Sequence, residues 1–142
     1  MASNPTTFYS PEEYLALERS SETKHQYFNG EIFAMGGASE QHVLIVTNLV
    51  AELRTQFKRG PCRVYSTDLR VNVSPTGLYT YPDVVVISEA PEFSDERKDT
   101  LVNPVLIIEV LSESTGDYDR GDPTEVSALF TSGQDRLCER LI

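Results

Sequence analysis

The chain has little cysteine, little lysine and no long apolar run, and each shortage narrows what it can be. Two cysteines in 142 residues, Cys62 and Cys138, are too few for a disulfide framework or an all-cysteine zinc site. Each reads as a small buried hydrophobe. No apolar stretch approaches the roughly 18–20 residues that span a bilayer. The opening Met1-Ala2-Ser3-Asn4-Pro5 lacks the basic and then apolar regions of a secretory signal, so a cytoplasmic location is expected. A phosphate-cradling glycine loop, a serine–histidine–acid series and a haem motif are also missing. Lysine occurs only at Lys24, Lys58 and Lys98.

What the chain has is acid. The net charge is −10, and residues 81–142 hold 14 acids against 5 bases, while residues 1–80 hold 8 against 7. Bulk charge therefore argues against nucleic-acid binding, which needs clustered cations to neutralise phosphates. One local exception is Arg54, Lys58, Arg59, Arg63 and Arg70. These cations can touch a phosphate backbone or simply decorate a helix end and a strand edge.

The elements read as one α/β or α+β domain over residues 1–142, with a mixed central sheet flanked by helices behind an N-terminal helix and hairpin. Ser10-Pro11-Glu12-Glu13 starts a helix: an N-cap serine, proline at the first helical position, then acids that suit the helix dipole. Asn29-Gly30 is the preferred turn of a two-residue hairpin over Tyr27–Phe33. Ser39 caps a longer helix with Val43, Leu44, Val46, Leu49, Val50, Leu53 and Phe57 on a broad apolar face, stopped by Gly60-Pro61. Cys62 to Val73 alternates as a half-buried strand or hairpin arm. Val84–Ile87 and Val105–Ile108 are continuously apolar, as in strands buried on both faces under helices. Glu89 to Asp99 reads as a loop or short irregular helix. Asp122 to Phe130 reads as a helix with Pro123 in its first turn, and Leu137 to Ile142 as a last strand.

Asp83 opens one apolar strand and Glu109 sits near the end of the next. Two carboxylates on neighbouring buried strands repel each other and need a cation between them. Mg²⁺ suits such a pair, because it takes oxygen ligands and keeps several waters. It can activate a water and stabilise charge on a phosphodiester. The competing reading has Asp83 capping a turn and Glu109 pairing with an arginine. Asp68 can add a carboxylate or balance Arg70, and is left outside the site.

Pro82-Asp83 followed by Glu109-Val110-Leu111 resembles the PD-(D/E)XK nuclease pattern. The series Pro11-Glu12-Glu13-Tyr14-Leu15, Tyr27-Phe28-Asn29-Gly30-Glu31-Ile32, Asp68-Leu69-Arg70-Val71, Tyr81-Pro82-Asp83-Val84-Val85-Val86, Ile108-Glu109-Val110-Leu111-Ser112 and Tyr118-Asp119-Arg120-Gly121 resembles the Uma-type family of restriction-endonuclease-like proteins. It covers residues 8–121. The resemblance implies a Mg²⁺-dependent DNA endonuclease with Asp83 and Glu109 as metal ligands and the Val110 carbonyl as a third. It also implies Glu31 and His42 in the same cleft. An exposed strand acid and a surface histidine are the alternatives at those two positions.

The departures are at the C-terminal side. Two residues after Glu109, where the nuclease pattern has a lysine, stands Leu111. The family's lysine after Tyr-Asp-Arg-Gly is also missing, since that region reads Asp122-Pro123-Thr124-Glu125-Val126. Residues 122–133 depart from the family, as a deletion or local frameshift would leave them. Three functions follow as alternatives: an active endonuclease, a non-catalytic remnant keeping the fold, or a metal- or nucleic-acid-binding module without turnover. A tail that replaces a core helix would leave apolar sheet exposed, so self-association, as in a homodimer, is also expected.

Overall fold

The computed structural model describes residues 8–73 and 77–111, and the backbone of 125–130. Helix α1 (Pro11–Arg19) starts as its sequence dictates. Ser10 Oγ accepts from the Glu13 N–H at 3.1 Å, and Glu13 Oε1 accepts from the Ser10 N–H at 3.0 Å. This reciprocal capping box satisfies two donors that a helix start leaves open. Strands β1 (His25–Phe28) and β2 (Glu31–Ala34) follow as a hairpin. Its turn residues Asn29 and Gly30 have φ of 51° and 86°, the left-handed pair that this turn requires.

Helix α2 (Glu40–Gln56) is capped by Ser39, whose Oγ accepts from the His42 N–H at 3.1 Å. Its buried face is narrower than the apolar pattern predicts. Val46 and Leu53 are buried, as is Phe57 just beyond the last turn, but Val43 and Leu44 are 53% and 52% exposed. The N-terminal part of the helix overhangs the sheet rather than lying flat on it.

The segment read as one strand from Cys62 to Val73 divides into β3 (Arg63–Ser66) and β4 (Arg70–Val73), which join different sheets. With β5 (Leu78–Thr80), β6 (Val84–Ile87), β7 (Thr100–Leu101), β8 (Leu106–Leu111) and β9 (Glu125–Phe130), the strands form two sheets. One is five-stranded and mixed, in the order β2-β1-β5-β4-β7, with only β4 and β7 parallel. The other is four-stranded and antiparallel, in the order β3-β6-β8-β9. The class is α+β, as expected.

β6 and β8 are buried on both faces, but only one face is covered by a helix. Val84, Val86, Leu106, Ile108 and Val110 meet Val46, Leu53 and Phe57 of the α2 layer. On the other face, Val85, Ile87 and Ile107 meet Val71, Val73 and Leu101 of the mixed sheet. A second sheet therefore does the work assigned to a second helix layer. Residues 89–99 form a connection without a helix, tied down by a bridge from Phe93 to Leu101.

The expected helix over 122–130 is corrected: Glu125–Phe130 is a strand paired with β8 along its whole length, from Leu106↔Phe130 to Leu111↔Glu125. The Pro123 signal was outweighed by the open edge of β8, whose unpaired N–H and C=O groups need partners. Val126 and Ala128 also alternate with Glu125 and Ser127 at a strand period, before the apolar Leu129 and Phe130. The strand expected at 137–142 and Cys138 lie outside the described residues.

Packing between the layers carries the stability. Ile87, fully buried between the two sheets, is expected on change to Ala to cost about 2–5 kcal/mol in urea unfolding at unchanged m. Leu44→Ala on the exposed side of α2 is expected to stay within about 0.5 kcal/mol.

Candidate active site

Pro82, fully buried, leads the chain into β6. The register pairs Val84 with Ile108, so one step outward Asp83 faces Glu109. Asp83 stands just before β6 and Glu109 near the end of β8, close enough for the charge of one to act on the other. They stand at the end of the buried strand pair, where the two sheets part.

Asp83 is held at both oxygens. Oδ1 lies 3.0 Å from His42 Nε2, and Oδ2 accepts the Val110 N–H at 2.8 Å. The side chains of His42 and Asp83 are each only 14% exposed. His42 comes from the first turn of α2, where the Ser39 cap fixes its backbone. Its Nδ1 is buried without a hydrogen-bond partner among the described residues. Glu109 is pushed up to about 7, first by burial and then by the negative charge of Asp83. Near neutrality and without a cation, the two carboxylates thus retain a proton between them.

A divalent ion is the other way to relieve the same repulsion. Among the described residues, no group of three or more His, Cys, Asp and Glu side chains is placed to hold a metal. The side chains that could hold a metal here are therefore the two carboxylates, an all-oxygen set that would suit a hard cation better than zinc. The contact shown for Val110 is through its N–H, which fixes Asp83.

Asp83 and His42 open onto a cleft of about 640 Å³ lined also by Lys24, Asp68 and Tyr81. Glu109 does not line this cleft, and neither does Glu31. Glu31 begins β2 opposite Phe28, across the hairpin turn, and is not brought to the acidic pair. Sequence reasoning missed Lys24. Its Nζ lies 2.5 Å from Asp68 Oδ1 and 5.8 Å from the centre of the Tyr81 ring. Asp68 therefore balances Lys24 rather than Arg70. No spacing rule finds this lysine, because it precedes β1 and reaches the cleft only through the sheet topology.

Arg70, offered by sequence as a phosphate contact, is buried in a polar chain beside the cleft. Its Nη1 donates to Tyr81 Oη at 3.0 Å, its Nε to Thr100 Oγ1 at 2.9 Å, and its Nη2 lies 2.9 Å from Asp99 Oδ2. Tyr81 in turn donates to Glu18 Oε2 at 2.8 Å, and Glu18 also receives the His25 N–H at 2.6 Å. Burial pushes the Tyr81 hydroxyl up to about 12, so it stays a donor. The Arg19 guanidinium, bonded to both Asp99 oxygens, holds that carboxyl well below its usual range. This chain anchors Tyr81, two residues before Asp83.

The family model for Uma2, described as "Putative restriction endonuclease", matches residues 11–127. The chain belongs to the Uma2 family. The match runs past Gly121 into β9, so the first residues of the segment read as departing from the family fall inside it. A protein of Synechocystis sp., "Uncharacterized protein slr1290", is 40% identical over 137 residues, covering 95% of this chain and 70% of its own length. A second from the same organism, "Uncharacterized protein sll1609", is 34% identical over 115 residues, covering 81% of this chain and 65% of its own. The crystal structure of "a putative nuclease belonging to DUF820" from Anabaena variabilis superimposes with a TM-score of 0.57 at 21% identity. That likeness shows the Uma2 chain's fold; it covers 76% of this chain but 61% of the solved one. No helix among the described residues is long and apolar enough to cross a membrane.

The weakened acidity of Glu109 couples stability to pH. Between the ordinary carboxylate range and about pH 7, the folded state binds a proton that the unfolded state has lost. Metal-free protein is therefore expected to lose stability as pH rises from about 5 to 8. Glu109→Gln is expected to flatten that slope, read as the difference between the two chains in urea unfolding midpoints.

Proposed function

We propose that this chain is a Mg²⁺-dependent endonuclease of the restriction-endonuclease type, hydrolysing phosphodiester bonds in DNA. The observation that carries the reading is the buried pair of Asp83 and Glu109, in which burial, and then the charge of Asp83, keep a proton on Glu109 to about pH 7. Such a pair is costly to keep without a cation to take the proton's place. Uma2 membership and the nuclease-type fold support the choice of chemistry.

In this reading Asp83 and Glu109 hold the ion, with Val110 beside them. A Mg²⁺ ion held there would lower the pKa of a coordinated water and offset charge on the phosphate. His42 orients Asp83 through Nε2. Lys24, on the cleft wall, supplies the lysine charge that the nuclease pattern places after Glu109. Exchange of its ammonium from Asp68 to a phosphate oxygen keeps the charge paired throughout. Glu31, away from the cleft, has no part.

A second reading is a metal-binding remnant without turnover. Leu111, 49% exposed where the nuclease pattern has lysine, favours it. Calorimetric Mg²⁺ titration and a supercoiled-plasmid nicking assay separate the two. The nuclease reading expects Mg²⁺ binding that is lost in Asp83→Ala, nicking abolished by Glu109→Ala, and a rate roughly 10²-fold lower in Lys24→Gln. Binding that vanishes in Asp83→Ala with no nicking by the native chain leaves the remnant reading standing.

A further inference from the structure

The cations singled out by sequence are not all used by the acidic site. Arg54 in the last turn of α2, Lys58 just beyond it and Arg63 at the start of β3 line a second hollow of about 420 Å³ with Tyr65. None of the three forms a salt bridge with a described residue, whereas Arg19, Lys24 and Arg70 all do. A charge cluster left unpaired in a chain of net charge −10 points to an external anion.

The two hollows border the same helix and the same strand without sharing a lining residue. Val43, Val46, Thr47 and Val50 line the cleft, and Arg54, Phe57 and Lys58 line the basic hollow. These positions recur every three or four residues and form a single stripe on one side of the helix. β3 runs beside that stripe: Ser66 borders the cleft and Arg63 borders the basic hollow. From His42 to Arg54 the helix axis advances about 18 Å. That matches roughly five phosphates of one strand at about 3.4 Å each.

We infer that the groove between α2 and β3 is a track for duplex DNA, with Arg54, Lys58 and Arg63 binding backbone phosphates roughly five nucleotides from the bond at Asp83. The inference rests on the nuclease reading for what happens at Asp83, but the track itself is a binding site. It supplies affinity and orientation without base specificity. The short reach of the cations also fits a polymer, since a single small anion would not need two hollows aligned.

The test is fluorescence anisotropy of a labelled 20-base-pair duplex with the full chain in Ca²⁺, over a series of salt concentrations. Lys58→Gln/Arg63→Gln is expected to weaken binding at least tenfold and to lower the salt slope by about two. Arg97→Gln/Lys98→Gln, the same charge change in the 89–99 loop, is expected to leave the slope alone. An unchanged slope in the first double variant, or equal losses in both, would overturn the track. So would a loss seen with single-stranded RNA but not with duplex DNA. Where the track fails while Asp83-dependent nicking persists, the nuclease reading stands without it. Where the native chain does not bind the duplex at all, both are overturned.

Discussion

The antiparallel register of β6 on β8 is the constraint from which the candidate site follows. It sets Val84 against Ile108 and so brings Asp83 beside Glu109. A slip of one residue in β6 would turn its side chains to the opposite face and part Asp83 from Glu109. Val84, Val85, Val86 and Ile87 are all fully buried, so the strand is packed on both faces. The hydrophobic core thus enforces an electrostatic conflict at its end. His42 and the Val110 N–H stabilise Asp83, and neither contact relieves Glu109, which keeps its proton instead.

The polar chain from Glu18 through Tyr81 and Arg70 to Asp99 secures the approach to that conflict. It joins α1, β4 and the entry to β7 around one side chain, Tyr81. Buried ionic groups of this kind seldom add net stability relative to apolar packing, yet removing one partner costs about 3–5 kcal/mol because the other is left uncompensated. Their effect here is to fix position. Tyr81 precedes the buried Pro82, so the tyrosine, the proline ring and the β6 ladder leave Asp83 little freedom. The tyrosine stack of Tyr14, Tyr27 and Tyr79, with ring centres 5.1–5.7 Å apart, holds α1 against the hairpin and thereby Lys24 near the cleft.

Local chemistry was legible in the sequence; long-range pairing was not. The capping serines, the Asn-Gly turn and the apolar strands follow from residue type and period, and the structure has them where the pattern puts them. Asp83 beside Glu109 was readable because two consecutive apolar strands in a small domain are neighbours more often than not. The division of Cys62–Val73 was unreadable, since alternation is the same whichever sheet a strand joins. The strand at Glu125–Phe130 was hidden by Pro123, a local helix signal outweighed by the edge of β8. Lys24 and Glu18 were invisible for another reason. Their partners lie 44 and 63 residues away, Asp68 and Tyr81, and meet them only after both sheets have formed.

A net charge of −10 conflicts with the proposed polyanion only if charge is summed over the whole molecule. Exposed charges interact over about 8 Å at physiological ionic strength, so acids farther away are largely screened. The acid-rich connection from Glu89 to Asp99 has spent Asp95 and Asp99 on Arg19 and Arg70, which pins the loop and neutralises part of its field. The α2–β3 groove, in contrast, carries Arg54, Lys58 and Arg63 without a described counter-ion. The cleft end carries acid as well, since Glu22, Asp68 and Asp83 line it beside Lys24. On the proposed reading that negative charge would repel a phosphate until a cation had bound. Metal loading would then set when the cleft accepts a phosphate, while the basic end of the groove remains attractive throughout.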